Sequence, residues 1–398
     1  MSAGAVDATV AGTTSVAANW SGVFAMTLCV FALIASEFMP VSLLTPMAAD
    51  LGISEGRVGY GIAISGAFAV LTSLSISSVA GRLDRKRLLL VLTGLMAVSG
   101  AVVALASSYL VYMIGRAMIG VVVGGFWSMS AATAMRLVPA AEVPRALAVF
   151  NGGNALATVI AAPLGSYLGA AIGWRGTFFC LIPIAAIALA WQWASLPNMQ
   201  PPRRARGEGN VFLLLGRREV FLGMAACGAL FMGQFALFTY VRPYLETTAH
   251  VSPTMLSLIL LGIGVAGFVG TVVIGALLRR SLYRTLVVLP LLMATIALAL
   301  IPASAWLWAV AGLLAFWGLI ATAAPVGWWS WIAQALPSDA EAGGGLMVAV
   351  VQLAIALGST AGGVLFDHFS YRSTFAASAV VLAGAAALAF FASRARMT

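Results

Sequence analysis

Charge is what this chain has least of. Asp, Glu, Lys and Arg make up 8% of its 398 residues, against about 25% in a soluble globular protein. That is too little to cover a solvated surface, so a water-soluble enzyme is excluded. Lysine is nearly absent: twenty arginines and Lys86 account for all 21 basic residues. The three cysteines, Cys29, Cys180 and Cys227, lie inside apolar runs and suggest neither a disulfide framework nor a metal cluster. The two histidines, His250 and His368, fall in expected outer loops, without a following acid at the spacing of membrane acyltransferases. No paired carboxylates and no phosphate-cradling loop are present. No enzyme activity, metal or cofactor is therefore expected. The first twenty residues hold no Lys or Arg and no apolar core of a signal peptide, so the first apolar run is expected to be retained as a helix. The apolar runs are continuous rather than alternating, which excludes an outer-membrane barrel.

What is present is hydrophobic: 62% of residues, with a mean hydropathy of +1.03. A bilayer span takes about 20 apolar residues. Spans are read at 21–45, 57–80, 88–107, 109–135, 146–168, 174–194, 219–242, 254–278, 285–302, 306–330, 342–365 and 372–392, twelve in all. With the N-terminus inside, the inner loops and tails hold sixteen basic residues and the outer loops four (Arg57, Arg175, Arg242, Arg372). That asymmetry predicts cytoplasmic termini. The net charge of +9 is thus read as topology, and no nucleic-acid partner is expected.

The longest hydrophilic stretch, Leu196 to Glu219, carries three prolines and five arginines near mid-chain. It separates an N-terminal tail (1–20) and six-helix bundle (21–195) from a second bundle (219–392) and tail (393–398), with 196–218 as a cytoplasmic linker. The halves repeat. Trp174-Arg175-Gly176-Thr177-Phe178 recurs as Tyr371-Arg372-Ser373-Thr374-Phe375 at an offset of 197, which also carries Glu37-Phe38 onto Gln234-Phe235 and Pro46 onto Pro243. The fold class predicted is all-α membrane: twelve transmembrane helices in two pseudo-symmetric six-helix bundles, with a substrate site between them near mid-membrane.

Twelve spans, a mid-chain loop and the basic loop Gly81-Arg82-Leu83-Asp84-Arg85-Lys86-Arg87 resemble the major facilitator superfamily. Ala80 and Arg87 stand where that family's loop carries glycines. In span five, Gly153 is followed after eight residues by Ala162-Pro163-Leu164-Gly165. Gly153, Pro163 and Gly165 are similar to the antiporter motif of its drug/proton antiporter branch, with alanine replacing the glycine before the proline. The segments 19–21, 37–46, 124–130, 238–243 and Pro325-Val326-Gly327-Trp328 resemble the bacterial purine ribonucleoside efflux pumps. The resemblance implies proton-driven export of nucleosides such as inosine and guanosine from a bacterial inner membrane by a monomer. The partners expected are a small-molecule substrate, protons and the lipid bilayer. A sugar or broad drug exporter of the same fold, or a passive facilitator, are the alternatives. The resemblance also implies that Asp84, Arg85 and Arg87 form a cytoplasmic gate; the plainer reading is positive-inside topology.

Glu37 is the one acid read inside a span and Arg116 the one base, and intramembrane charge marks a functional site by default. At 1.5 Å per residue both sit about 10–12 Å below the outer surface. Two readings stand open: Glu37 as a proton-coupling acid tuned by Arg116, or a static ion pair locking span one to span four. Gln234 is the neutral repeat partner of Glu37, suited to substrate contact or to a helix–helix hydrogen bond. Arg116, Gly120, Gly124 and Trp127 share one face of span four; the glycines suggest a packing seam, and Trp127 a surface for a flat ligand or plain bundle packing. Asn151, Asn154 and Thr158 on span five, and Gln352 and Ser359 on span eleven, are expected to line the cavity. Phe235, Phe238, Tyr240 and Trp317 offer either an aromatic lining or packing. Trp328, Trp329 and Trp331 read as an interfacial belt. Arg175 and Arg372 read as outer anchors, and Arg242 with Pro243 as a rim gate or anchor.

Overall fold

The structure, a computed structural model, describes residues 18–79, 83–129, 133, 136–139, 142–199, 211–336 and 340–395. Most of the two expected tails, residues 200–210 of the expected linker, Gly81 and Arg82 of the basic loop, and the side chain of Asn151 lie outside what is described.

Local chemistry sets the helix ends. Asn19 opens α1 (Trp20–Leu51) by accepting the Gly22 N–H at 2.9 Å, and Gly52 closes it in the left-handed region at φ 63°, where glycine carries no Cβ penalty. After α2 (Glu55–Val79), Asp84 caps α3 (Arg85–Ala104) by accepting the N–H groups of Lys86 and Arg87. Ser108 caps α4 (Tyr109–Trp127), which stops well short of the expected residue 135.

α5 (Val143–Ser195) is broken at Gly173, whose φ of 77° and ψ of 162° are not helical. Its last turn is tied to the start of α1, with Asn19 Nδ2 donating to the Ser195 carbonyl at 2.6 Å and Trp191 Nε1 to Ser21 Oγ at 2.8 Å. The break lies at the other end of α1, where Trp174 and Arg175 reach Asp50. The two limbs therefore run antiparallel. The end of the molecule holding Asn19 and Ser195 is termed proximal, and the end holding Asp50 and Arg175 distal.

The second half comprises α6 (Arg218–Phe238), α7 (Val241–Thr247), α8 (Pro253–Arg280), α9 (Leu282–Ala299), α10 (Leu307–Ala335), α11 (Ala340–His368) and α12 (Tyr371–Ala395). The expected seventh span is thus not one helix but α6 and the short α7, joined at Thr239-Tyr240. Among the described residues eleven helical segments are long and apolar enough to cross a membrane. Counting the two limbs of α5 separately gives twelve passes.

The repeat is visible in detail. The break at Gly173 recurs at Ser370, 197 residues on. Trp174 meets Phe178 edge-on at 85°, and Tyr371 meets Phe375 at 78°. Arg175 and Arg372 each lie over the preceding ring. α1 packs on α5 and α2 on α4, as α6 packs on α11 and α12, and α8 on α10; α2–α11 and α5–α8 join the halves. Large apolar side chains such as Val91, Val272, Phe316 and Val380 face outward, as bilayer-facing surfaces require. The expected tryptophan belt reduces to Trp329. Trp328 and Trp331 are buried in the second core, and Trp331 Nε1 donates to Tyr283 Oη, which donates to Glu219.

The α2–α4 seam depends on missing side chains. A Cβ on Gly120 would collide with the Ser65 carbonyl, and one on Gly124 with that of Ala69. A Cβ on Gly94 in α3 would meet nothing within 4 Å. Gly120→Ala is accordingly expected to cost about 1–3 kcal/mol, whereas Gly94→Ala is neutral or slightly stabilising. Thermal unfolding followed by a thiol-reactive dye at buried Cys29 and Cys227, in a Cys180→Ser background, checks this. Equal melting temperatures would refute the seam.

Candidate functional site

A proline removes the N–H that would bond the carbonyl four residues earlier, and α1 contains two, Pro40 and Pro46. The carbonyls left without that donor are those of Ser36 and Ser42. Each is met by a buried arginine. Arg116, 1% exposed on α4, donates from Nη1 to Ser36 O at 2.9 Å, from Nη2 to Glu37 O at 2.9 Å and from Nε to Gly61 O at 3.1 Å. Three carbonyls satisfy the guanidinium and fix α4 to α1 and α2. The Ser42 carbonyl receives Nη1 of Arg242 from the other half.

The Glu37 carboxylate makes no ion pair with Arg116, whose hydrogen bonds all run to backbone carbonyls. Its Oε1 accepts from Gln352 Nε2 of α11 at 3.2 Å, with both side chains buried. The direct Glu37–Arg116 ion pair weighed from the sequence is absent: the guanidinium is occupied by backbone, and the acid is held by a neutral amide across the halves. One residue on, Phe38 stacks on Phe235 of α6 at 5.6 Å, and Phe238 meets Phe235 edge-on at 6.2 Å. Gln234 beside them is buried, and its Oε1 has no partner. Acid, amide and rings thus form one layer between α1, α6 and α11.

Distal to this layer the halves are closed. The Asp367 carboxylate accepts from Ser54 Oγ and from the Gly56 N–H at the first turn of α2. Tyr240 is fully buried, stacked on Phe366, with its hydroxyl donating to Ser359 O at 2.8 Å. Arg242, expected at the outer rim, is instead buried in α7 and paired with Glu246. The spacing of a proline four residues after a mid-helix carbonyl was the signal that could have located both arginine sites.

The remaining expected site residues fall elsewhere. Trp127 is half-buried, edge-on to Phe150, towards the proximal end. Asn154 is half-buried on α5, and Thr158 is exposed with its hydroxyl donating to the Asn154 carbonyl. Trp317 is fully enclosed in the second core, with Nε1 unpartnered. Gly153 and Gly165 face Thr27 and Ser42, and Pro163 lies inside the helix between them; this stretch presses α5 against α1. Asp84 caps its own helix, the Arg85 N–H binds Met199 O at 2.9 Å, and Arg87 is exposed.

The model of the Major Facilitator Superfamily matches residues 26–347. The chain belongs to the Major Facilitator Superfamily. Membership makes it a multi-pass membrane transporter rather than an enzyme. It is 64% identical over 381 residues, 95% of each chain, to a Pseudomonas aeruginosa protein named transcription regulatory protein OpdE. It is 43% identical over 360 residues, 90% of each chain, to the purine ribonucleoside efflux pump NepI of Salmonella typhimurium. Among solved structures it is similar to a D-xylose–proton symporter (TM-score 0.73, 17% identity, covering 93% of this chain and 97% of that one). It is also similar to a bacterial homologue of the lysosomal transporter Spinster (TM-score 0.72, 16% identity, covering 95% and 97%). At those identities the likeness shows the fold alone.

The two readings of the charged residues lead to different expectations. Arg116→Lys cannot reach three carbonyls, and it is expected to lose about 2–4 kcal/mol of stability. Glu37→Gln keeps an amide-to-amide contact with Gln352 and is expected to stay within about 1 kcal/mol. Thermal unfolding in detergent compares them. Equal losses would restore the locking ion pair.

Proposed function

We propose that the chain exports small neutral solutes, purine ribonucleosides foremost, in exchange for protons, with Glu37 as the proton-binding acid. The observation that carries the reading is the Glu37–Gln352 hydrogen bond, which joins the two halves at the level of the stacked Phe38 and Phe235. The 43% identical nucleoside pumps support the substrate class. A purine base can stack on such rings, and the unpartnered Gln234 Oε1 offers an acceptor for a base N–H or a ribose hydroxyl. Family membership favours a transport reading over the regulatory one in the name of the Pseudomonas relative.

The proximal face is assigned to the cytoplasm. Arg85, Lys86, Arg87, Arg217, Arg218, Arg279, Arg280 and Arg394 stand at the proximal ends of their helices, as the positive-inside rule asks. A carrier closed distally takes solute from the cytoplasmic side. Ionised Glu37 accepts from Gln352 and, with the fixed Arg116 guanidinium, leaves the layer close to neutral. When the halves reopen distally the solute leaves and a proton joins Glu37. The loaded layer then carries one more positive charge, which the membrane potential draws inward. About 150 mV acting on one proton supplies roughly 3.5 kcal/mol, or about a 300-fold solute gradient.

Purified protein in liposomes with an internal pH-sensitive dye tests this. Labelled inosine is expected to accumulate against an imposed pH gradient, with matching proton movement. Glu37→Gln is expected to abolish accumulation while retaining binding. Downhill equilibration without proton flux would make the protein a facilitator and Glu37 structural; no inosine movement would remove the substrate assignment.

A further inference from the structure

α7 carries a polar arrangement that the proton-coupling layer does not use. Arg242 is 6% exposed. Its Nη2 pairs with Glu246 one turn on at 2.7 Å, and its Nη1 donates to the Ser42 carbonyl of α1 in the opposite half. Arg242 Nε and Glu246 Oε2 are buried without a partner. The acceptor is open because Pro46 stands four residues on and brings no N–H. We propose that Arg242, aimed by Glu246, locks the distal face shut by docking on the carbonyl that Pro46 leaves free.

Three features support the lock. The bond lies distal to Glu37 on α1, beyond the proposed solute layer, where Asp367 also bridges the halves. It crosses between bodies: Ser42 belongs to the helix packed on α5, and Arg242 to the segment continuing α6. Any distal opening that parts α7 from α1 must break it. The partner that aims the guanidinium sits on the same short helix, so the Arg242–Glu246 pair travels as one unit while only the carbonyl is left behind. A charged donor on a dry carbonyl is among the stronger hydrogen bonds a protein makes, and an orphaned carbonyl away from water is costly. The closed distal state satisfies both groups, and the device can be re-formed on every cycle.

The proposal rests on the transporter reading only in that the halves separate distally. Its test needs neither a solute nor a proton gradient, so it stands or falls apart from the nucleoside and proton assignments. Spin labels are placed at Leu105→Cys and Phe369→Cys, exposed positions on distal loops of the two halves, in a Cys180→Ser background with Cys29 and Cys227 buried. Double electron–electron resonance then reports the distal separation in the full-length protein. Arg242→Gln replaces the charged guanidinium with a shorter, neutral amide. Pro46→Ala restores a backbone N–H to the Ser42 carbonyl and leaves every charge in place. Both are expected to raise the long-distance, distal-open share about fivefold or more. Glu246→Gln, which keeps the guanidinium but loosens its aim, is expected to give a smaller shift in the same direction and serves where Arg242→Gln does not accumulate. Unchanged distances in Pro46→Ala and Arg242→Gln, with retained helicity, would overturn the lock. A shift with Arg242→Gln alone would overturn the role of the carbonyl; a shift with Pro46→Ala alone would overturn that of Arg242.

Discussion

A helix in hydrocarbon must satisfy its own backbone, because no water is there to do it. α1 breaks that condition twice, at Pro40 and Pro46. The carbonyls released at Ser36 and Ser42 are met by the two most deeply placed guanidinium groups described, Arg116 from within the same half and Arg242 from the other. Much of the central architecture follows from that pairing of defect and donor. Arg116 cannot sit in apolar surroundings without its three carbonyls, and α1 cannot leave its carbonyls unmet. α4 is consequently held at a fixed height against α1 and α2, and the glycine seam at Gly120 and Gly124 lets the backbones approach closely enough for it.

The same arrangement frees Glu37 from a static partner. With the guanidinium spent on backbone, the nearest polar contact of the carboxylate is the neutral Gln352, on a helix that belongs to the other half. An amide can donate to an ionised carboxylate or accept from a protonated one, so the contact survives a change of protonation with its polarity reversed. The repeat supplies no second acid: Gln234 occupies the equivalent place, buried and incompletely bonded. Two halves built on one plan thus meet at an asymmetric layer, with an ionisable group on one side and an amide on the other.

Sequence and structure agreed where the signal was periodic or statistical. Twelve passes and the 197-residue repeat were both readable, and the repeat holds down to the break at Gly173 and Ser370 and the ring pairs beside them. The disagreements share one cause. Arg242, Trp328 and Trp331 stand near the ends of apolar runs, where position alone suggests an interface. Whether such a side chain meets lipid headgroups or the interior depends on which neighbour packs there. Likewise the similar depths of Glu37 and Arg116 suggested an ion pair, yet the guanidinium bonds the Glu37 carbonyl instead of its carboxylate.

By itself the sequence determined the solvent, the number of passes, the bias of positive charge towards one face and the two-fold plan, because each depends on composition and period along the chain. Only the tertiary structure decided which groups meet: Gln352 with Glu37, Arg242 with the carbonyl of Ser42, Asp367 with the first turn of α2. These partners lie 311–315 or 200 residues apart in the chain. Their meeting is set by how two similar bundles are rotated against each other, and no local pattern encodes that rotation.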